Sequence, residues 1–190
     1  MDYQQEKKQV RKELLNKRQN IPDEMYRQHS KMIAKLLLGQ VEYKKARNIH
    51  CYVSMNDRKE VDTHLLLRHM LSSGKNVIVP VMHMDDVSLT HIQISRMNDL
   101  SPNDWGVPEP TIGRRVRVSE IDLVIVPMLG GDLQKNRIGY GKGFYDRFLS
   151  RVDCPKIGLT FDLGIVENGI PVEEYDVSLD KIITEKRVVE

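Results

Sequence analysis

Leu123-Val-Ile-Val-Pro127, and then Arg137-Ile-Gly-Tyr-Gly-Lys-Gly-Phe-Tyr-Asp146, decide how this chain folds. A short apolar run rich in β-branched residues reads as a strand buried on both faces. Gly139, Gly141 and Gly143 then alternate with Tyr140 and Lys142, and Phe144–Arg151 continues with a helix-compatible pattern. Strand, glycine loop and helix in succession are the unit of an α/β fold. Toward the N-terminus the motif recurs. Asn76-Val-Ile-Val-Pro80 is a second buried strand, preceded by a helix over Leu65–Ser73 that Asp62 or Thr63 caps and Gly74 ends. Asn48–Ser54, Lys156–Thr160 and Lys181–Thr184 read as further strands, and Leu89–Ile94 alternates as a half-exposed one. Two helices open the chain. Residues 4–19 carry Val10, Leu14 and Leu15 as an apolar stripe, and Pro22 and Asp23 start a second helix that stops at Gly39. Residues 95–120, broken by Pro102, Pro108, Pro110 and Gly113, read as irregular. Strands alternating with helices predict a mainly parallel sheet, and the 190 residues predict one domain.

In such a sheet, ligands collect at the carboxyl ends of the strands. The glycine loop lies there, and so does Ser54–Glu60. Glycines let the loop reach positive φ and let its N–H groups approach a ligand, and successive amides before a helix suit phosphate. Arg137 and Lys142 add charge. The pattern is neither a Walker loop nor a dinucleotide fingerprint, since Phe144 stands where a third glycine belongs.

The hydrophobic content of 40% and charged content of 29% are ordinary for a globular protein. The net charge of +2 argues against nucleic acid as a partner. It conceals an asymmetry: residues 1–47 hold twelve Lys/Arg against six Asp/Glu, and residues 162–190 three against eight. These ends either meet around a metal–phosphate ligand or form two solvated surfaces. The two cysteines, Cys51 and Cys154, form no disulfide framework, and the six histidines show no zinc spacing. The charged N-terminus and the lack of a long apolar stretch predict a cytoplasmic protein without membrane contact.

Lys7 and Arg11 share a helix face four residues apart. Spacing alone favours a solvated basic face for them; the alternative is anion binding. Asp146, in the first turn after the glycines, and Asp180, before the last strand, are candidate magnesium ligands or plain helix-dipole and turn aspartates; spacing leaves both open. Trp105 either pins its proline-rich loop to the core or stacks on a flat heterocycle.

Together these pieces resemble the 5-formyltetrahydrofolate cyclo-ligase (5,10-methenyltetrahydrofolate synthetase) family over nearly the whole chain. The loop Arg137–Asp146 looks like the family's Arg-Leu-Gly-x-Gly-x-Gly-Tyr/Phe-Tyr-Asp signature. Lys7-x-x-x-Arg11, Glu60-Val-Asp-Thr63, Trp105-Gly-Val-Pro-Glu-Pro110 and Asp176-x-x-x-Asp180 support it. The resemblance implies a three-layer α/β/α sandwich with a Rossmann-like sheet. It implies ATP binding by Lys7, Arg11, Arg137, Ile138, Gly139, Tyr140, Gly141, Lys142, Gly143, Phe144 and Tyr145. Magnesium would sit on Asp146 and Asp180. A reduced folate would lie against Val53, Glu60, Met82, Trp105 and the segment Tyr140–Phe144, with Lys142 and Arg137 stabilising the transferred phosphoryl group. The chain would act as a monomer or weak homodimer. It departs from the family at Pro127-Met-Leu-Gly-Gly-Asp132, where relatives often carry a bulky aromatic at the position of Gly131; its loss is expected to loosen the wall beside the nucleotide. The rival readings are a binding protein without catalysis, an RNA-associated module and an isomerase or CoA-transferase relative.

Overall fold

The computed structural model describes residues 3–103 and 106–190. Three helices, α1 (Tyr3–Gln19), α2 (Asp23–Gly39) and α3 (Val41–Lys45), precede β1 (Asn48–Cys51). Helix α4 (His64–Ser72) leads into β2 (Asn76–His83) and β3 (Ser88–Ile94). The short strands β4 (Leu100–Pro102), β5 (Pro108–Pro110) and β6 (Arg114–Arg115) come before the apolar strand β7 (Leu123–Pro127). Then follow β8 (Gly130–Asp132), β9 (Arg137–Ile138), α5 (Phe144–Leu149), β10 (Lys156–Leu159), β11 (Ile165–Val166), β12 (Lys181–Ile183) and β13 (Val188–Val189).

The main sheet runs β13-β12-β10-β7-β1-β2-β3-β6. Its centre, β12-β10-β7-β1-β2, is parallel, and β13, β3 and β6 join antiparallel to their neighbours. The strand β7 explains the layering. Leu123 and Ile125 pack with Ile33, Leu37, Leu67 and Met70 of α2 and α4 on one face. Val124 and Val126 pack with Phe148 and Leu149 of α5 on the other. A strand covered on both faces has no polar side to show, hence its unbroken apolar sequence. Each fully buried Leu, Ile or Val of this kind contributes about 1.5–3 kcal/mol. The α/β/α sandwich is thus present, with α1 outside it. Its Leu14 packs on Leu129, Ile138 and Ile170, over a small sheet of order β11-β8-β9 at the carboxyl edge.

Three expectations need correction. Residues 95–120 are not irregular throughout: β4 and β5 pair as an antiparallel ribbon, Leu100 opposite Pro110 and Pro102 opposite Pro108, and β6 forms a sheet edge. Prolines cannot donate to a ladder, so these strands stay short and at edges. The five-residue α3 was not foreseen, because one turn and a half carries no readable periodicity. Nor does Gly131 loosen a wall. A Cβ there would lie 2.6 Å from the Asn136 carbonyl oxygen and 2.7 Å from the Met128 Cε. The methionine fills that volume, and neither residue lines the two cavities at the carboxyl edge. Among the described residues no helix is long and apolar enough to cross a membrane.

Candidate functional site

Strands β1, β2 and β7 end at the same edge of the sheet, and the segments that follow them, together with α1, enclose two adjoining cavities. One, of about 370 Å³, has apolar walls from Val53, Met55, Pro80, Met82, Met84 and Leu89. The other, of about 550 Å³, is polar, with Gln4, Arg147, Ser150, Glu173 and Glu174 in its wall. They share Lys7, Arg11, Gly141, Gly143, Asp146 and Asp176. Volumes of this size are those of small-molecule sites.

The glycine loop is the partition between them. Gly141 (φ 84°) and Gly143 (φ 76°) lie in the left-handed region, which turns the chain from β9 into α5. Among the described residues, the N–H groups of 139–143 donate to no protein acceptor. A side chain at Gly141 would crowd α1, since a Cβ would sit 3.0 Å from the Arg11 Cζ. Arg11 Nε instead donates to the Gly139 carbonyl at 3.1 Å. Neither Arg11 nor the exposed Lys142 has a carboxylate partner among the described residues, so both positive charges are available to an anion.

Two further cations of the cavity walls, Arg137 and Lys7, are already paired with carboxylates. Arg137 Nη2 donates to Asp146 Oδ1 at 2.7 Å, with the guanidinium nearly buried. Lys7, also buried, donates to Glu173 Oε2 at 2.7 Å and to Asp176 Oδ2. Burial by itself would lower the Lys7 pKa; hydrogen bonds and charge from Asp176 and Glu173 outweigh it and raise the value. The basic N-terminal helix and the acidic tail therefore do meet, and they meet at the cavity.

Asp180 does not come to the site. It stands at the amino end of β12, where its Oδ2 accepts the Lys156 backbone N–H at 2.7 Å. In a parallel sheet that is the edge opposite the glycine loop. Asp176 lies at the cavities instead, because the loop before β12 carries it back to the carboxyl edge. Each of Asp146 and Asp176 uses one carboxylate oxygen in its hydrogen bonds to protein, Oδ1 and Oδ2 respectively, which leaves the other oxygen without a protein partner among the described residues. Two hard oxygen donors beside a phosphate-sized polar space fit magnesium, which prefers one or two carboxylates plus phosphate oxygens.

A relay from buried Arg18 and Glu60, which sequence reading missed, fixes the loop's Tyr140. Arg18 Nη2 donates to its Oη at 2.6 Å, and the Oη donates to Glu60 Oε1 at 2.5 Å. The second Glu60 oxygen accepts the Met55 N–H at 2.9 Å. Burial, then the Glu60 charge, push the Tyr140 hydroxyl well above its usual pKa, and Arg18 opposes this. Arg18 was detectable in principle: Lys7, Arg11 and Arg18 follow the helical spacing that puts them on one face of α1. Arg58, Glu109 and Tyr52 also line the apolar cavity and carried no sequence signal of their own.

Of the residues singled out in the sequence, Lys7, Arg11, Val53, Glu60, Met82 and the whole run Arg137–Asp146 line one cavity. Trp105 lies outside the described residues.

Residues 3–185 match the model of the 5-formyltetrahydrofolate cyclo-ligase family. A probable 5-formyltetrahydrofolate cyclo-ligase of Schizosaccharomyces pombe is 29% identical, with 96% of this chain and 97% of the relative aligned. The 5-formyltetrahydrofolate cyclo-ligase of Escherichia coli K12 is 32% identical over 69% of this chain and 75% of its own. The solved structure of Aquifex aeolicus 5,10-methenyltetrahydrofolate synthetase superposes with a TM-score of 0.84 at 31% identity, covering 96% of this chain and 91% of that one. The fold accords with these matches, and the chain belongs to the 5-formyltetrahydrofolate cyclo-ligase family.

Proposed function

We propose that the chain cyclises 5-formyltetrahydrofolate to 5,10-methenyltetrahydrofolate, with ATP as co-substrate and magnesium as the required cation. The observation that carries this reading is the pair of cavities, one apolar and one polar, joined at a glycine loop with unengaged amides. A reduced folate suits the apolar side, where Val53, Met82 and Phe144 offer apolar contact. A polyphosphate suits the polar side, where Arg11 has no carboxylate partner among the described residues, and Lys142, likewise without one, stands across the glycine loop in the wall of the apolar cavity.

The N5-formyl group is an amide, and its oxygen leaves poorly. Transfer of the γ-phosphoryl group to that oxygen breaks the bond to ADP and gives an iminophosphate. N10 then attacks the formyl carbon and gives up its proton to the phosphate group or to water, and the C–O bond breaks with release of phosphate. No protein nucleophile is needed, and the protein's work is positioning and charge stabilisation. Lys142 and the amides of 139–143 offset charge on the transferred group; such preorganised donors are worth roughly 3–4 kcal/mol each. Arg137 holds Asp146 in place, and Lys7 orients Asp176. Magnesium bound to Asp146 and Asp176 would neutralise phosphate charge. Glu60 and Arg18 hold Tyr140 in the wall of the apolar cavity.

The test mixes protein, ATP, magnesium and 5-formyltetrahydrofolate and follows the near-ultraviolet absorbance of the methenyl product alongside ADP. Folded protein that gives neither refutes the proposal. ATP binding without turnover would instead favour a non-catalytic binding protein.

A further inference from the structure

The turn that joins β8 to β9, residues 132–136, lines neither cavity, yet it holds the segments that bring two carboxylates there. Asp132 is its centre. The side chain is 1% exposed, and no Lys, Arg or His pairs with it among the described residues. A carboxylate buried in that way needs donors on its lone pairs. Oδ1 accepts the N–H groups of Gln134 at 3.0 Å and Asn136 at 2.9 Å, which closes the turn. Oδ2 accepts Asn136 Nδ2 at 3.0 Å and, from 38 positions along the chain, the Ile170 N–H at 3.1 Å. The same turn grips the far end of residues 170–179, a segment with no helix or strand of its own. There Ser178 Oγ donates to Asn136 Oδ1 at 3.0 Å, and the Leu179 N–H donates to the Lys135 carbonyl at 3.0 Å. Between these ties lie Glu173 and Asp176, which meet Lys7 of α1. On its other side the turn runs into β9 and Arg137, whose guanidinium holds Asp146.

One turn connects the supports of both carboxylates. Two ligands of one magnesium ion must keep a set separation, because that ion demands near-ideal octahedral geometry at about 2.0–2.1 Å. We propose that Asp132 is a positioning residue for the cation and nucleotide side of the site. It sets the place of Asp176 relative to Asp146 through the Ile170 N–H and through Asn136, without touching a ligand. This rests on the magnesium–ATP reading above and adds the residue that spaces the two carboxylates. Asparagine at 132 separates this role from the closing of the turn. Its amide oxygen can take the Oδ1 place and keep the N–H groups of Gln134 and Asn136. Its NH₂ then stands at the Oδ2 place, where it cannot accept, and the Ile170 N–H loses its acceptor.

The experiment compares wild type, Asp132→Asn and Asn136→Ala, each checked for folding by its melting curve. Asn136→Ala keeps the backbone of the turn and removes the tie to Ser178, so it decides the matter should Asp132→Asn not fold. Binding of Mn²⁺ is read from the electron paramagnetic resonance of the free ion in the presence of a non-hydrolysable ATP analogue. Binding of that analogue and of 5-formyltetrahydrofolate is measured by calorimetry, and turnover separately. Partners that orient a metal's ligands commonly change affinity about 10–100-fold, and Asp132 acts one step further out, so both variants should raise the Kd of Mn²⁺ and of the analogue by about fivefold or more. The Kd of the folate should stay within about twofold, and excess magnesium should return kcat to within about threefold of wild type. Metal and nucleotide affinities within about twofold of wild type in every folded variant overturn the proposal. An equal loss of folate affinity also overturns it, since that marks general damage to the site. Wild type that binds the probes without turnover fails the proposed function, yet the variant affinities still decide the role of Asp132. Wild type that binds neither Mn²⁺ nor the analogue overturns both.

Discussion

Acidification should destabilise this protein through a histidine pair that the chemistry does not use. His50 on β1 and His91 on β3 lie beneath α5, with the Phe148 ring 4.7 Å from the first and 4.3 Å from the second. Both ring nitrogens of His50 and the Nδ1 of His91 are buried without partners. Burial lowers both pKa values. That of His91 falls from 6.5 to about 4, with the charges of Arg151 and Arg115 adding to the burial effect. That of His50 falls well below 6.5, with His91 adding to burial. Below pH 6.5 the unfolded chain takes up protons that the folded chain refuses, so stability is complete above that pH and is lost as the pH falls toward 4. For His91 alone, a shift from 6.5 to about 4 corresponds to a loss of ~2 kcal/mol between pH 7.5 and pH 5. His50 acts in the same direction. Domains are commonly stable by only about 5–15 kcal/mol, so the effect is large. The assay is urea unfolding at both pH values for wild type and for His91→Leu. Leucine leaves a packing defect that lowers stability at either pH, and the carboxylates titrate alike in both proteins; the difference in pH dependence isolates His91. The wild-type midpoint should fall by about 1 M urea more than that of the variant, for an m-value of about 2 kcal/mol/M. Equal falls in the two proteins would refute the argument.

Four further outcomes follow from the site. Lys142→Ala should lower turnover by about two orders of magnitude or more without a change in melting temperature, because the exposed ammonium has no partner among the described residues; near-normal kcat removes it from the mechanism. Asp146→Asn and Asp176→Asn should each move the magnesium titration of activity to higher concentration, whereas Asp180→Asn should leave it unmoved. A shift only in the last variant would restore Asp180 to the site. Tyr140→Phe leaves Glu60 and Arg18 without their shared hydroxyl and should cost roughly 1–3 kcal/mol in chemical denaturation; an unchanged midpoint contradicts the relay. Ile33→Ala, at a fully buried position between α2 and the sheet, should cost about 2–5 kcal/mol with catalysis per folded molecule intact.

The sequence alone determined those features that are written in neighbouring residues. The double-faced strand at Leu123–Pro127 could be recognised because burial on both sides removes every polar position. The glycine loop was legible because positive φ at Gly141 and Gly143 selects one residue type over all others. The Lys7–Arg11 face followed from helical periodicity. Tertiary structure decided what depends on where the chain returns. Asp176 and Asp180 are four residues apart, yet a strand's amino end holds one at the far edge of the sheet while the preceding loop brings the other to the cavity. The Arg18–Tyr140–Glu60 relay joins residues 122 and 80 positions apart, and no local pattern encodes such a contact. Local backbone and burial preferences are carried by adjacent side chains, whereas a binding site is made by the geometry of strand crossovers, which is settled only when distant segments pack.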